Sequence, residues 1–309
     1  MAFTSGTIAG GTAATNHTDL LSKIRTFCTT GLGASNWSEI KWAMNGSERE
    51  WMFIAPGLSG SEQIFGGIRT RTSGTYSNLE IAGYFGNYGS NPSWDTDFTD
   101  QPLAAFAYVT CSADPMDYWI VANGQRLICL FRSGSIWSMF HLGKILPYGS
   151  ASEYPYPFFL AGTNSDGNAQ TSDVAGHRHF ANPTTGTAKL YLPGNLGWAS
   201  LENYNSSDNP LTTTNYIKPT SYGYFGSAAS QRGDSQANPD GSVNMIPYEI
   251  LVSASPGGLM GRIDGAYWCS GLTETGAPLV AGSIIDTDYI VFPNISRTAW
   301  HEWSALRLA

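Results

Sequence analysis

Residues 117–145, DYWIVANGQRLICLFRSGSIWSMFHLGKI, restrict the fold more than any other stretch of the chain. Short apolar and aromatic runs follow one another there, each too brief for a stable helix. Asn123-Gly124 separates the first from the second, and Ser133-Gly134-Ser135 the second from the third. Asn-Gly supplies the positive φ angles that a tight hairpin demands. The stretch predicts three antiparallel strands in a meander.

The same grammar runs through both ends of the chain. WSEIKWAMNGSEREWMFIAPG reads as strand, turn and strand around Asn45-Gly46. QIFGGIRTRT, YSNLEIAGYFG and LAAFAYVTC continue the series, with a long polar loop around residues 86–102. The C-terminal third supplies the strand-like YEILVSAS, GRIDGAYWCSG, GSIIDTDYIVFPN and AWHEWSALRLA. Between them lie irregular segments at 163–186 and 204–245, and long loops of this kind are functional or are held by a partner. LPYGSASEYPYPFFLAG holds three prolines and is not expected to form a central strand.

One helix is expected, at about 17–30. Leu20, Leu21, Ile24, Phe27 and Cys28 recur at helical spacing, Asn16 or Thr18 can cap it, Asp19 suits its first turn, and Gly31 and Gly33 end it. The small, polar residues before it, 1–15, lack periodicity and read as a flexible N-terminal arm. The expected organisation is the arm at 1–15, a helix plus meander at 16–145, and a loop-rich continuation at 146–309 that closes with strands and forms one compact unit with 16–145. The fold class is mainly β: antiparallel sheets, sandwich- or barrel-like, with one short N-terminal helix and long irregular loops.

Charged residues make up 13% of the chain, about half the usual ~25%. The net charge is −8, and no cluster of Lys and Arg is present to neutralise phosphates, so nucleic acid is not an expected partner. The start MAFTSGTIAGGTAATNHTD lacks a basic region followed by an apolar run, so no secretory leader is expected. No stretch approaches the ~20 apolar residues of a membrane helix, and no membrane insertion is expected. Cys28, Cys111, Cys129 and Cys269 lack C-x-x-C spacing, and a buried thiol is the expectation for each.

Catalytic motifs are missing from the sequence: there is no G-x-S-x-G elbow (GLSGS only approaches it), no P-loop and no H-E-x-x-H. Asp95, Asp97 and Asp100 can offer oxygens to calcium, yet no glycine stands where a calcium loop needs one. A second DTD at Asp286 to Asp288 and NSDGN at 164–168 read as turns or solvated loops. Glu80, Glu153 and Glu249 are candidates by residue type for the paired acids of glycoside hydrolysis, but nothing local sets their separation. His177 and His179, in VAGHRHF, are the weak metal candidates. At i and i+2 they share a face if extended, and two imidazoles saturate a transition metal only if several copies meet on a symmetry axis. The simpler expectation is that they hydrogen-bond the backbone of their own loop. No catalytic residue, metal or cofactor is assigned.

Several segments, in order, resemble virion structural proteins of tailed bacteriophages: the opening MAFTSGTIAGGTAATNHTDLLSKIRTFCTTGLGASNWSEIKW, then YWIVANGQRLICLFR, LPYGSASEYPYPFFLAG and the GHRHF loop, and finally IDGAYWCSG and DYIVFPNISRTAWHEWSALRLA. The resemblance spans most of the chain except about 204–245. It implies a non-enzymatic component of the particle, in the tail region (tip, baseplate or collar), made in the bacterial host cytoplasm and located in the virion. The implied partners are other tail proteins and copies of the chain itself, with host surface glycan as a further candidate. The alternative is a host-receptor or carbohydrate-binding module of the tail. A glycan-degrading tailspike ranks third, because no repeat of fixed period appears.

Overall fold

The computed structural model describes residues 1–73, 76–84, 105–163, 179–180, 188–201, 215–218, 243, 245–252, 257–272, 277–294 and 303–308. In chain order these give β1 (Ala2–Ile8), α1 (Ala13–Thr30), β2 (Ser38–Asn45), β3 (Glu48–Ala55), β4 (Ile64–Ser73), β5 (Tyr76–Tyr84), β6 (Ala105–Cys111), β7 (Met116–Ala122), β8 (Arg126–Ser133) and β9 (Ile136–Lys144). There follow β10 (Leu146–Pro147), β11 (Phe158–Gly162), β12 (Ala188–Tyr191), β13 (Trp198–Leu201), β14 (Tyr216–Lys218), β15 (Met245–Val252), β16 (Gly258–Cys269), β17 (Ile284–Ile285), β18 (Tyr289–Pro293) and β19 (Trp303–Arg307).

Among the described residues, all pairings are antiparallel, and the strands form three open sheets with no closed barrel. The N-terminal sheet runs β2-β3-β4-β5-β6; the central sheet β1-β7-β8-β9-β11-β12-β13; the C-terminal sheet β14-β15-β16-β19-β18-β17, with β10 on β16. The sheets stack as a sandwich of three layers. One face of the central sheet (Ile120, Cys129, Phe131, Phe140, Leu142) packs with α1 and the inner face of the N-terminal sheet. Its other face (Val121, Ile128, Leu130, Trp137, Met139) packs with Ile250, Trp268, Ile290 and Phe292 of the C-terminal sheet. Burial on both faces explains why β8 is apolar almost throughout instead of alternating. Gly162 lets β11 pass close to β6, since a Cβ there would stand 2.1 Å from the Tyr108 carbonyl oxygen.

Gly134, between β8 and β9, and Gly46, between β2 and β3, have the positive φ expected of such turns. Gly124, between β7 and β8, does not; a Cβ there would stand 2.0 Å from the Gly57 carbonyl oxygen, so close approach explains this glycine. Three further expectations need correction. The arm does not remain unpaired, because residues 2–8 form β1 and pair with β7 from Ala2↔Ala122 to Ile8↔Met116. An edge strand with one solvent-facing side tolerates Ser, Gly and Thr, so it carries no apolar alternation to read. The helix begins one turn earlier, at Ala13. Its cap is Thr12, whose Oγ1 accepts from the Thr15 amide while Thr15 Oγ1 accepts from the Thr12 amide, a reciprocal box. Asn16 instead lies inside the helix and donates its amide to the carbonyls of Ser112 and Asp114. Finally, the proline-rich stretch does supply a central strand. Its prolines end before Phe158, so β11 has its full set of amides to pair with β9 and β12.

Residue 146 marks no boundary in the sheets, because the central sheet draws strands from both sides of it. Among the described residues, no helix is long and apolar enough to cross a membrane.

Candidate functional site

A polar chain across several elements forms where His179 and Phe180 meet the sandwich. His179 and Phe180 enter the layer between the central and C-terminal sheets. Phe180 packs edge-on against Phe159 of β11 and Tyr248 of β15, and His179 edge-on against Phe292 of β18. His179 Nε2 lies 2.9 Å from the Pro293 carbonyl oxygen, which can only accept, so Nε2 carries the proton. Nδ1 is then an acceptor, and Ser304 Oγ of β19 donates to it at 2.7 Å. With its own proton so used, Ser304 Oγ accepts from the Tyr248 hydroxyl at 2.5 Å. The chain Tyr248–Ser304–His179–Pro293 thus joins three strands and one loop.

A serine hydroxyl at hydrogen-bond distance from an imidazole has the geometry of a nucleophile and its base. Nothing local marks this partner, since Ser304 lies 125 positions away. The surroundings favour a structural role. Ser304 is 1% and His179 5% exposed, and a carbonyl stands where an orienting carboxylate would. Both ring nitrogens of His179 are engaged, so a metal would have to displace Ser304 or Pro293. His177 and Arg178 lie outside the described residues, as do Asp95, Asp97, Asp100 and residues 164–168.

A second polar cluster lies in the same layer. Arg126, at the start of β8, is fully buried, and its Nε donates to Asp264 Oδ2 of β16 at 2.9 Å. Gly265, with φ of +80°, leaves the space the guanidinium fills: a Cβ there would stand 2.8 Å from Arg126 Nη2. His141 of β9 shares this face and meets the Phe159 carbonyl through Nδ1 at 3.1 Å. Burial, then the Arg126 charge, hold its pKa down at about 3. Arg126 Nη1 and His141 Nε2 are buried without a hydrogen-bond partner among the described residues.

The three glutamate candidates do not converge. Glu80 lies on the outer face of the N-terminal sheet, buried, and accepts from Arg69 Nε at 2.5 Å and from the Tyr108 hydroxyl at 2.8 Å. Beside it in the same row, the buried Glu50 accepts from Lys41 and Asn45 of the neighbouring β2, cross-strand partners that no local pattern marks. Glu249 lies on the outer face of the C-terminal sheet, bound by the Tyr148 hydroxyl. The central sheet separates these two faces, and layers ~10 Å apart put them far beyond the ~5–9.5 Å between paired glycosidase acids. Glu153 is exposed, and its pKa is lowered by hydrogen bonds from the Ser150 side chain and amide.

All four cysteines are free and buried, and burial pushes each thiol pKa up. Asp286 and Thr287 form the tight turn between β17 and β18, both with positive φ. Among the described residues, no group of three or more His, Cys, Asp or Glu side chains is placed to hold a metal ion. No family model matches the chain, and no curated protein matches it.

Proposed function

We propose that the chain is a non-enzymatic structural component of a tailed-bacteriophage particle, seated in the tail region and acting through protein–protein interfaces. The observation that carries this reading is β1. It ends the central sheet as a seven-residue strand, with Met1 46% and Phe3 45% exposed beside it. Among the described residues, no strand lies on its far side. A long free edge invites pairing with another chain, and proteins that work alone usually block such edges with charge, proline or a cover. Here the edge is made of Ser, Thr, Gly and Phe. His179 fits the same reading, because both of its ring nitrogens are spent on joining layers. The resemblance of the ordered segments to phage virion proteins supplies the particle, with other tail proteins and copies of this chain as partners.

Incorporation into particles tests the reading. Phe3→Lys with Ser5→Lys puts two charges on exposed positions of the edge and leaves the β1–β7 pairing in place. The expected result is a folded protein that no longer enters particles. Normal incorporation of this variant overturns the proposal.

A further inference from the structure

The outer face of the C-terminal sheet holds two arginines unlike the other described ones. Arg25, Arg69, Arg71, Arg126 and Arg132 each lie against a carboxylate, and Arg49 lies over the Trp42 ring. Among the described residues, Arg262 and Arg307 have neither an ion pair nor a ring beneath them, and both are exposed.

Their positions bring them onto one surface. Arg307 alternates with Leu306 and Leu308, which face the central sheet, so Arg307 faces outward. It stands opposite Tyr289 in the β18–β19 register. Tyr267 of β16 lies on this outer face too, opposite Ala305, and its ring meets that of Tyr289 edge-on with centroids 5.6 Å apart. Arg262 stands on β16 opposite Glu249, whose Oε1 accepts from the Tyr148 hydroxyl. Burial and then Tyr289 raise the pKa of the Tyr267 hydroxyl, and Arg307 and Arg262 lower it, so both guanidiniums lie within electrostatic reach of that phenol.

Two partly buried tyrosines bracketed by two guanidiniums offer flat apolar rings and planar forks for carboxylates. That combination suits a sugar ring bearing an acid group. An acidic peptide finds less here, because Tyr267, Tyr289 and Arg307 lie on paired strands that offer no open edge for a bound peptide to hydrogen-bond along. We infer that this face binds a carboxylated polysaccharide, with Arg262 and Arg307 taking carboxylates and Tyr267 and Tyr289 lying against the pyranose rings. The inference is independent of assembly through β1, and it is tested on the purified full chain instead of on particles.

Affinity electrophoresis through gels containing polygalacturonate reads the binding directly. Dextran is the neutral probe and poly-L-glutamate the acidic polypeptide probe. The expected result is retardation by polygalacturonate, none by dextran and much less by poly-L-glutamate. Arg262→Ala with Arg307→Ala should weaken polygalacturonate binding by about tenfold or more, as loss of charge-assisted hydrogen bonds does. Both positions are exposed, and an unchanged melting temperature verifies the fold. The lysine pair, Arg262→Lys with Arg307→Lys, keeps the charge, loses the fork and should also bind more weakly. Absence of retardation by polygalacturonate overturns the inference. So does equal retardation by poly-L-glutamate, which would make the patch a site for acidic protein, and so does wild-type binding by either arginine variant.

Discussion

Ser304 and His179 meet at 2.7 Å across 125 residues of sequence, and through them the C-terminal strand β19 is tied to a loop that enters between two sheets. Tyr248 lies behind the serine and Pro293 behind the imidazole, so every proton in the chain has one acceptor. The donors and acceptors are buried, and a buried polar group costs most when its partner alone is removed.

His179→Asn and Ser304→Ala should each destabilise the fold by about 1–3 kcal/mol, the range for a buried donor or acceptor left unpaired. Urea unfolding measures it. Elemental analysis of the same preparations should show the same zinc and iron content in wild type and variants. A stoichiometric metal lost in the His179 variant would make His179 a metal ligand instead.

Asp264→Ala should cost about 3–5 kcal/mol, because it strands the buried Arg126 guanidinium. Replacing both partners, as in Arg126→Met with Asp264→Leu, should cost clearly less than the single change. A double-mutant cycle by chemical denaturation decides this, and additive losses would mean that the pair is not coupled.

Acid should weaken the fold through two buried imidazoles. Burial lowers the His17 pKa to about 4, partly offset by a hydrogen bond to the Asn78 backbone, and that of His141 to about 3, with Arg126 lowering it further and Asp264 opposing. The unfolded chain takes up these protons near pH ~6.5 and the fold does not. The stability they contribute is therefore complete above about pH 6.5 and is lost as pH falls towards 4 and 3. Each contributes a slope of at most ~1.4 kcal/mol per pH unit. His17→Gln should flatten the dependence of unfolding free energy on pH between about 6.5 and 4. An unchanged slope would show that His17 is already protonated in the fold.

Local pattern determined much of the architecture. The run from Asp117 to Ile145 needed only its own alternation of apolar segments and Gly-bearing turns to declare β7, β8 and β9, since hairpin partners are sequence neighbours. Leu20, Leu21, Ile24 and Cys28 likewise declared one helical face, and all four are buried. What the tertiary structure decided involves partners brought together from a distance. β1 carries no pattern of its own and becomes a strand because β7 offers it a ladder of amides and carbonyls 110 residues away. Arg126 finds Asp264 across 138 residues and two sheets, and nothing around either marks the other. His179 was legible as a residue able to bind, but its role follows from Ser304, Pro293 and Tyr248, which only the stacking of the C-terminal sheet on the central one brings to it. Sequence periodicity reports which face of an element is apolar. It does not report which distant face will cover it, and each of these polar pairs exists only once that choice has been made.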